Sequence, residues 1–80
     1  MQAQVLVVAP TPRLAEDVRR VIAEQFRGQE ERFTVVEADL HEAEALVARG
    51  GAEGYEVVVS RGGTAELLER LLDIPVVHIQ

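Results

Sequence analysis

The chain has 80 residues, a formal net charge of −6 and no cysteine. This length is that of one small domain, and the lack of cysteine excludes a disulfide scaffold, a cysteine-based zinc site and thiol catalysis. An acidic chain without a basic stripe is not expected to contact nucleic acid directly. The longest uninterrupted apolar run, Val5 to Ala9, is too short to span a membrane, and no signal peptide is visible. We therefore expect a cytoplasmic protein with no membrane partner.

The first predicted strand and helix occupy the start of the chain. Residues 3–9 form a nearly continuous apolar run rich in valine, which is typical of a strand buried on both faces of a parallel sheet. Thr11 and Pro12 then have the residue types of a helix N-cap and first helical position. Apolar residues recur at helical spacing as far as Phe26, and Gly28 is the predicted stop.

A second strand and helix follow. Phe33 to Glu37 reads as a strand that is less buried than the first, because it includes polar residues. Asp39 and Glu42 have the spacing of a capping box, so the second helix is predicted to begin there. Leu40 is assigned to the apolar face of this helix, and Gly50 is expected to end it.

The last third of the chain predicts one more helix between two short strands. Val57 to Val59 is the third strand, and the glycine-containing segment Ser60 to Thr64 follows it as a turn. The third helix has an apolar face at Ala65, Leu68, Leu71 and Leu72. A proline then precedes the fourth strand, Val76 to Ile79.

The alternation of strands and helices, with short connections, predicts an α/β fold with right-handed crossovers. We expect one domain over residues 1–80, with three layers and a four-stranded parallel sheet of order 2-1-3-4 carrying three helices. This is half of a flavodoxin-like fold, or a lobe like those of periplasmic binding proteins. The apolar last strand, Val76 to Ile79, would form an open edge of the sheet. We therefore expect either a homodimer through this edge or a larger domain that covers it.

The segment from Ser60 to Thr64 is the main candidate ligand-binding site. Gly62 and Gly63 allow a ligand to approach the main chain, and the helix that follows presents free N–H groups and a positive dipole end to an anion. Ser60 and Thr64 add hydroxyl donors, and Arg61 could bind a carboxylate or phosphate through two hydrogen bonds. Because tight strand-to-helix turns often contain glycine and a hydroxyl cap, the spacing alone leaves a purely structural interpretation open.

Thr11 is a weaker candidate for the same site. The carboxyl ends of the first and third strands flank the switch point of a 2-1-3-4 sheet, so the loop with Thr11 is expected to face the glycine turn. A helix cap alone would also explain Thr11. No catalytic residues, metal site or cofactor are predicted: His78 is interpreted as structural, and no serine–histidine–aspartate set or phosphate-binding loop motif is found.

The segment Tyr55 to Leu68 and the closing residues Ile74 to Val77 resemble the N-terminal sensor domain of propionate-catabolism activators. These are sigma-54-dependent bacterial transcription regulators, and the most specific matching element is Ser-Arg-Gly-Gly-Thr-Ala at positions 60–65. The start of the chain, Val5 to Pro10, is similar to that family's start. The resemblance implies a non-enzymatic sensor of two α/β lobes with a small organic acid in the cleft. This chain would then be the first lobe, with the candidate ligand contacts at residues 60–64 and Thr11.

A second resemblance gives an alternative function. Gly-Gly-Thr-Ala after a strand, at positions 62–65, is similar to the phosphate loop of methylglyoxal-synthase-like domains, which bind phosphorylated metabolites. The carboxylate and histidine pattern of that family is not evident. A self-associating α/β interaction module without a ligand is the third interpretation.

Overall fold

The computed structural model describes residues 3–80 as four strands and three helices that alternate along the chain. A short 3-10 turn, Glu30–Arg32, precedes the second strand and was not expected from the sequence. The predicted domain of residues 1–80 includes Met1 and Gln2, which lie outside the described residues. In chain order the elements are β1 (Val5–Ala9), α1 (Pro12–Gln25), β2 (Phe33–Glu37), α2 (Leu40–Ala48), β3 (Val57–Arg61), α3 (Gly62–Leu71) and β4 (Val76–Ile79).

The four strands form one parallel sheet of order β2-β1-β3-β4. At its centre, Val7 is in register with Val35 on one side and with Val59 on the other. The fold class and the strand order predicted from the sequence are therefore confirmed. β2 and β4 are the two edges of the sheet within residues 3–80.

Side chains alternate along the strands and divide the core between the two faces of the sheet. On one face, Leu6, Val8 and Val58 pack with residues of α2 and α3. On the other face, Ala9 packs with Leu14 and other residues of α1. The molecule thus has three layers, with two helices on one face and one on the other.

Side-chain caps define where α1 and α2 begin. The Leu14 N–H donates to Thr11 Oγ1 at 3.2 Å, which confirms Thr11 as the N-cap of α1. The Glu42 N–H donates to Asp39 Oδ1 at 2.8 Å, and the Asp39 N–H donates to Glu42 Oε1 at 2.9 Å. This reciprocal pair is the predicted capping box, and it satisfies two N–H groups that the helix itself leaves unpaired.

Two apolar residues are more exposed than their helical spacing predicts. Leu71, assigned to the inner face of α3, is 44% exposed, and Leu72 packs against the core instead because α3 ends between them. Leu40 is also exposed, since it is the first residue of α2, while Ala43 and Leu46 form the buried face.

β4 is an edge strand, as the sequence predicted. Its side chain Val77 is 51% exposed. Among residues 3–80 only β3 pairs with β4, so the outer main-chain groups of β4 have no partner strand. No helix in this part of the chain is both long and apolar enough to cross a membrane.

Candidate ligand-binding site

The carboxyl ends of β1 and β3 lie side by side at one edge of the sheet. The two strands are parallel neighbours, and the strand order reverses between them, which is where ligands bind in open α/β sheets. Thr11 follows β1, and Gly62 follows β3. The structure thus brings the two predicted halves of the site to the same edge.

The glycine segment is not the loop that the sequence suggested. β3 continues through Arg61, and α3 begins at the very next residue, Gly62. Gly62 has a φ of +59°, in the left-handed region that L-residues with a side chain adopt at a cost. The abrupt change from strand to helix therefore requires glycine at this position.

Gly63 differs from Gly62 although the two are adjacent. Its φ lies outside the left-handed region, and a Cβ added to it would meet no atom within 4 Å. Neither the backbone conformation nor the packing within residues 3–80 requires glycine here. What its missing side chain leaves is open space directly above the main chain of the first turn of α3.

The first turn of α3 has its N–H groups available. The N-cap, Arg61, makes no side-chain hydrogen bond to the turn, whereas α1 and α2 are capped by Thr11 and Asp39. No acidic residue lies in this turn. The N–H groups of this turn therefore have no side-chain cap at Arg61, and the positive end of the helix dipole lies at the candidate site.

Arg61 is the cationic residue of the glycine segment. It is exposed at the end of β3, and within residues 3–80 it forms no ion pair with a carboxylate. By contrast, Arg13 and Arg20 both lie near Asp17, and Arg19 lies near Glu37. A guanidinium group without such a partner is able to bind a carboxylate or phosphate.

Ser60 has a different position from the one expected of a ligand contact. Its side chain is fully buried, and its hydroxyl donates a hydrogen bond of 2.6 Å to the main-chain oxygen of Val8. The hydroxyl hydrogen of Ser60 is therefore already engaged in a hydrogen bond inside the protein and is not free to bind a ligand. Ser60 acts on the site by fixing the end of β3, and with it Arg61, against β1.

The two threonines differ in access to the site. Thr64 is buried in the first turn of α3, with 6% of its surface exposed, so its main-chain N–H is more relevant to a ligand than its side chain. Thr11 is exposed, and its oxygen accepts the cap hydrogen bond from Leu14. Because a hydroxyl both accepts and donates, the Thr11 proton remains able to reach a ligand.

His78 lies on β4 in register with Ser60, and its side chain has an unexpected partner. Its Nε2 atom lies 3.3 Å from Oε1 of Glu69 on α3, and both side chains are partly exposed. The spacing of Glu69 and His78 in the sequence did not predict this pair, because the two side chains meet only where β4 packs beside α3 in the folded chain. Within residues 3–80, no group of three or more metal-ligating side chains is found.

A family model described as "Propionate catabolism activator" matches residues 27–80, well over half of the chain. The chain belongs to this family. The match includes all elements from β2 to β4, and therefore the whole glycine segment, while β1 and α1 precede it. The chain matches no curated protein and no solved structure.

Membership in this family confirms the resemblance found in the sequence over the matched residues. The family is one of activators, so the chain belongs with regulatory proteins. The exposed residues of the glycine segment, Arg61, Gly62 and Gly63, lie inside the matched range.

Proposed function

We propose that this chain is a sensing lobe that binds a small organic acid and provides the signal input of a bacterial transcription regulator, without catalysis. Membership in the activator family supports the regulatory role. The observation that carries the ligand-binding role is the open space above Gly63, which the fold itself does not require. A ligand that lies against the main chain gives a physical reason for glycine at this position.

In this proposal the anion lies over the first turn of α3. The N–H groups of Gly63 and Thr64 bind one of its oxygen atoms, and the dipole of α3 favours the negative charge. Arg61 pairs with a carboxylate from the β3 side, and the Thr11 hydroxyl donates from the loop after β1. Ser60 holds the two sides of the site together through Val8.

A titration of the protein with citrate and with inorganic phosphate, followed by NMR, tests the proposal. The amide resonances of residues 61–65 should shift at millimolar anion, because the first turn of α3 contributes the N–H donors. Gly63→Ala should weaken binding without unfolding the protein, since the added methyl group occupies the open space. Unchanged resonances with both anions, or unchanged affinity in Gly63→Ala, would exclude this function.

Arg61→Gln provides a second variant, with Arg70→Gln as its matched control. Arg70 is also exposed, on α3, and has no ion pair with a carboxylate within residues 3–80. Loss of Arg61 should reduce citrate affinity about tenfold or more, because a charge-assisted hydrogen bond contributes about 1.5–3 kcal/mol. The same loss in Arg70→Gln would mean that overall charge, rather than a site at Arg61, determines binding.

The outer edge of β4 supports a second candidate function, a module that associates with a copy of itself. Val76–Ile79 includes neither proline nor lysine, the residues that commonly protect edge strands, and Val77 is 51% exposed. Sedimentation velocity should then show a dimer that Val77→Lys disrupts and Leu40→Lys, on α2, does not. A monomer at high concentration would rule this function out.

A further inference from the structure

An apolar groove of about 400 Å³ lies on the α1 face of the sheet. α1 packs mainly over β1 and β2, and within residues 3–80 no second helix covers β3 and β4 on this face. The groove is lined mostly by aliphatic side chains from three strands and from α1, among them Val7, Val18, Val59 and Ile79. This volume is in the range of small-molecule sites in proteins, which is about 300–1,000 Å³.

The groove has a cationic end and an aromatic end. Arg61 lines the groove at the end that lies by the carboxyl end of β3. Phe26 and Phe33 line it at the amino-terminal side of the strands, with their ring centroids 5.0 Å apart. Since a five-residue strand spans about 15 Å, the groove follows the strand direction over roughly that length.

The charged groups of the groove favour an anion at one end only. Asp17 also lines the groove, but its carboxylate lies near the guanidinium groups of Arg13 and Arg20. Arg61 has no such partner among the described residues. The groove therefore presents one unpaired positive charge next to a long apolar surface.

We propose that this groove binds an alkyl monocarboxylic acid. The carboxylate pairs with Arg61, and the alkyl chain lies along Val59 and Val7 towards Phe26. This inference rests on the proposed function, because Arg61 is the same carboxylate-binding residue, and it narrows the ligand from a small organic acid to an acid with an apolar chain. Burial of the chain removes both the ligand and the groove from water.

A series of straight-chain acids tests the apolar part of the proposal. Butanoate, hexanoate and octanoate should bind with increasing affinity, and each added methylene should lower Kd about fourfold, since a buried methylene contributes about 0.8 kcal/mol. Isothermal titration calorimetry, or NMR titration for the weaker acids, measures this dependence. A Kd that does not change with chain length would overturn the proposal.

Two variants test the position of the ligand. Arg61→Gln should lower the affinity for octanoate about tenfold or more and leave the affinity for octan-1-ol unchanged, because only the acid pairs with the charge of Arg61. Val21→Trp should weaken both, because Val21 lines the groove and is half exposed, so a larger side chain fills the groove without disturbing the core. Octanoate affinity unchanged in either variant would overturn the proposal, and far-UV circular dichroism verifies that each variant is folded.

The same titrations separate this inference from the proposed function. If citrate shifts the amides of residues 61–65 but the alkyl acids show no dependence on chain length, the groove proposal fails and the sensing lobe stands. If neither citrate, phosphate nor octanoate binds, both fail. Binding of octanoate that depends on chain length, on Arg61 and on Val21 supports the groove, and Arg70→Gln should leave it unchanged.

Discussion

Ser60 on β3 donates a 2.6 Å hydrogen bond from its hydroxyl to the main-chain oxygen of Val8 on β1. The register between these strands extends from Val5 and Val57 to Val7 and Val59, so this bond continues their connection towards the carboxyl edge. It holds the start of the candidate site in place from inside the protein.

Ser60→Ala should lower the free energy of unfolding by about 1–3 kcal/mol, because the buried oxygen of Val8 loses its donor. Urea denaturation followed by circular dichroism measures the change. Ser60→Cys should lower the free energy of unfolding by less, since a thiol has a similar shape and is a weak hydrogen-bond donor. If the free energy of unfolding of Ser60→Ala stays within about 0.5 kcal/mol of the parent value, this hydrogen bond does not stabilise the fold.

Gly62→Ala should destabilise the protein by about 1–2 kcal/mol, because its φ of +59° is costly for a residue with a Cβ. The surrounding space is open, so the cost comes from the backbone alone. Thermal unfolding monitored at 222 nm, a standard helix wavelength, measures it as a lowered Tm.

Gly63→Ala should have the opposite effect on the unliganded protein. Its Cβ meets no atom within 4 Å and its φ is not left-handed, so alanine should stabilise α3 by up to about 1 kcal/mol. The same melting experiment on both variants makes each the control for the other. Equal destabilisation by the two substitutions would contradict the distinction drawn between these glycines.

Asp39→Ala should lower the free energy of unfolding by about 1 kcal/mol, because it removes the side-chain acceptor of the capping box at the start of α2. Glu44→Ala is the control, since it removes one negative charge from an exposed position on the same helix. That variant should remain within about 0.5 kcal/mol of the parent. Similar losses from both would indicate that charge, rather than the cap, stabilises α2.

Leu68→Ala should be the most disruptive of the changes considered on α3. Leu68 is fully buried against the sheet, and truncation of such a side chain costs about 2–5 kcal/mol. A chain of this size has roughly 4–12 kcal/mol of total stability, so a large unfolded fraction is expected at raised temperature. Leu71→Ala, at a position 44% exposed on the same helix, should change the urea midpoint only slightly.

Much of the fold could be predicted because local signals agreed with the tertiary structure. The valine-rich β1, the caps at Thr11 and Asp39, and the alternation of elements together determine a parallel sheet. The extension of β3 through Arg61 could not be predicted. Ser60 is a polar residue inside a strand, where its hydroxyl donates to the main-chain oxygen of Val8, 52 positions away, and β4 pairs with it at His78.

The candidate site could be located from the sequence but not resolved into roles. Gly62 and Gly63 are the same residue type, so the sequence does not distinguish them. Only the backbone angles show that the fold requires glycine at position 62 and does not require it at position 63. The apolar groove was missed for a related reason. Helical periodicity shows which side of α1 is buried, but it does not show which strands that side covers.

α3 belongs both to the candidate ligand site and to the contact with the edge strand β4. Its first residue, Gly62, lies at the candidate ligand site, and Glu69 near its other end pairs with His78 on the edge strand. Ten residues of α-helix span about 15 Å as a single stiff rod. A ligand bound at the first turn would therefore rest on the same continuous element that contacts the edge strand through Glu69 and His78.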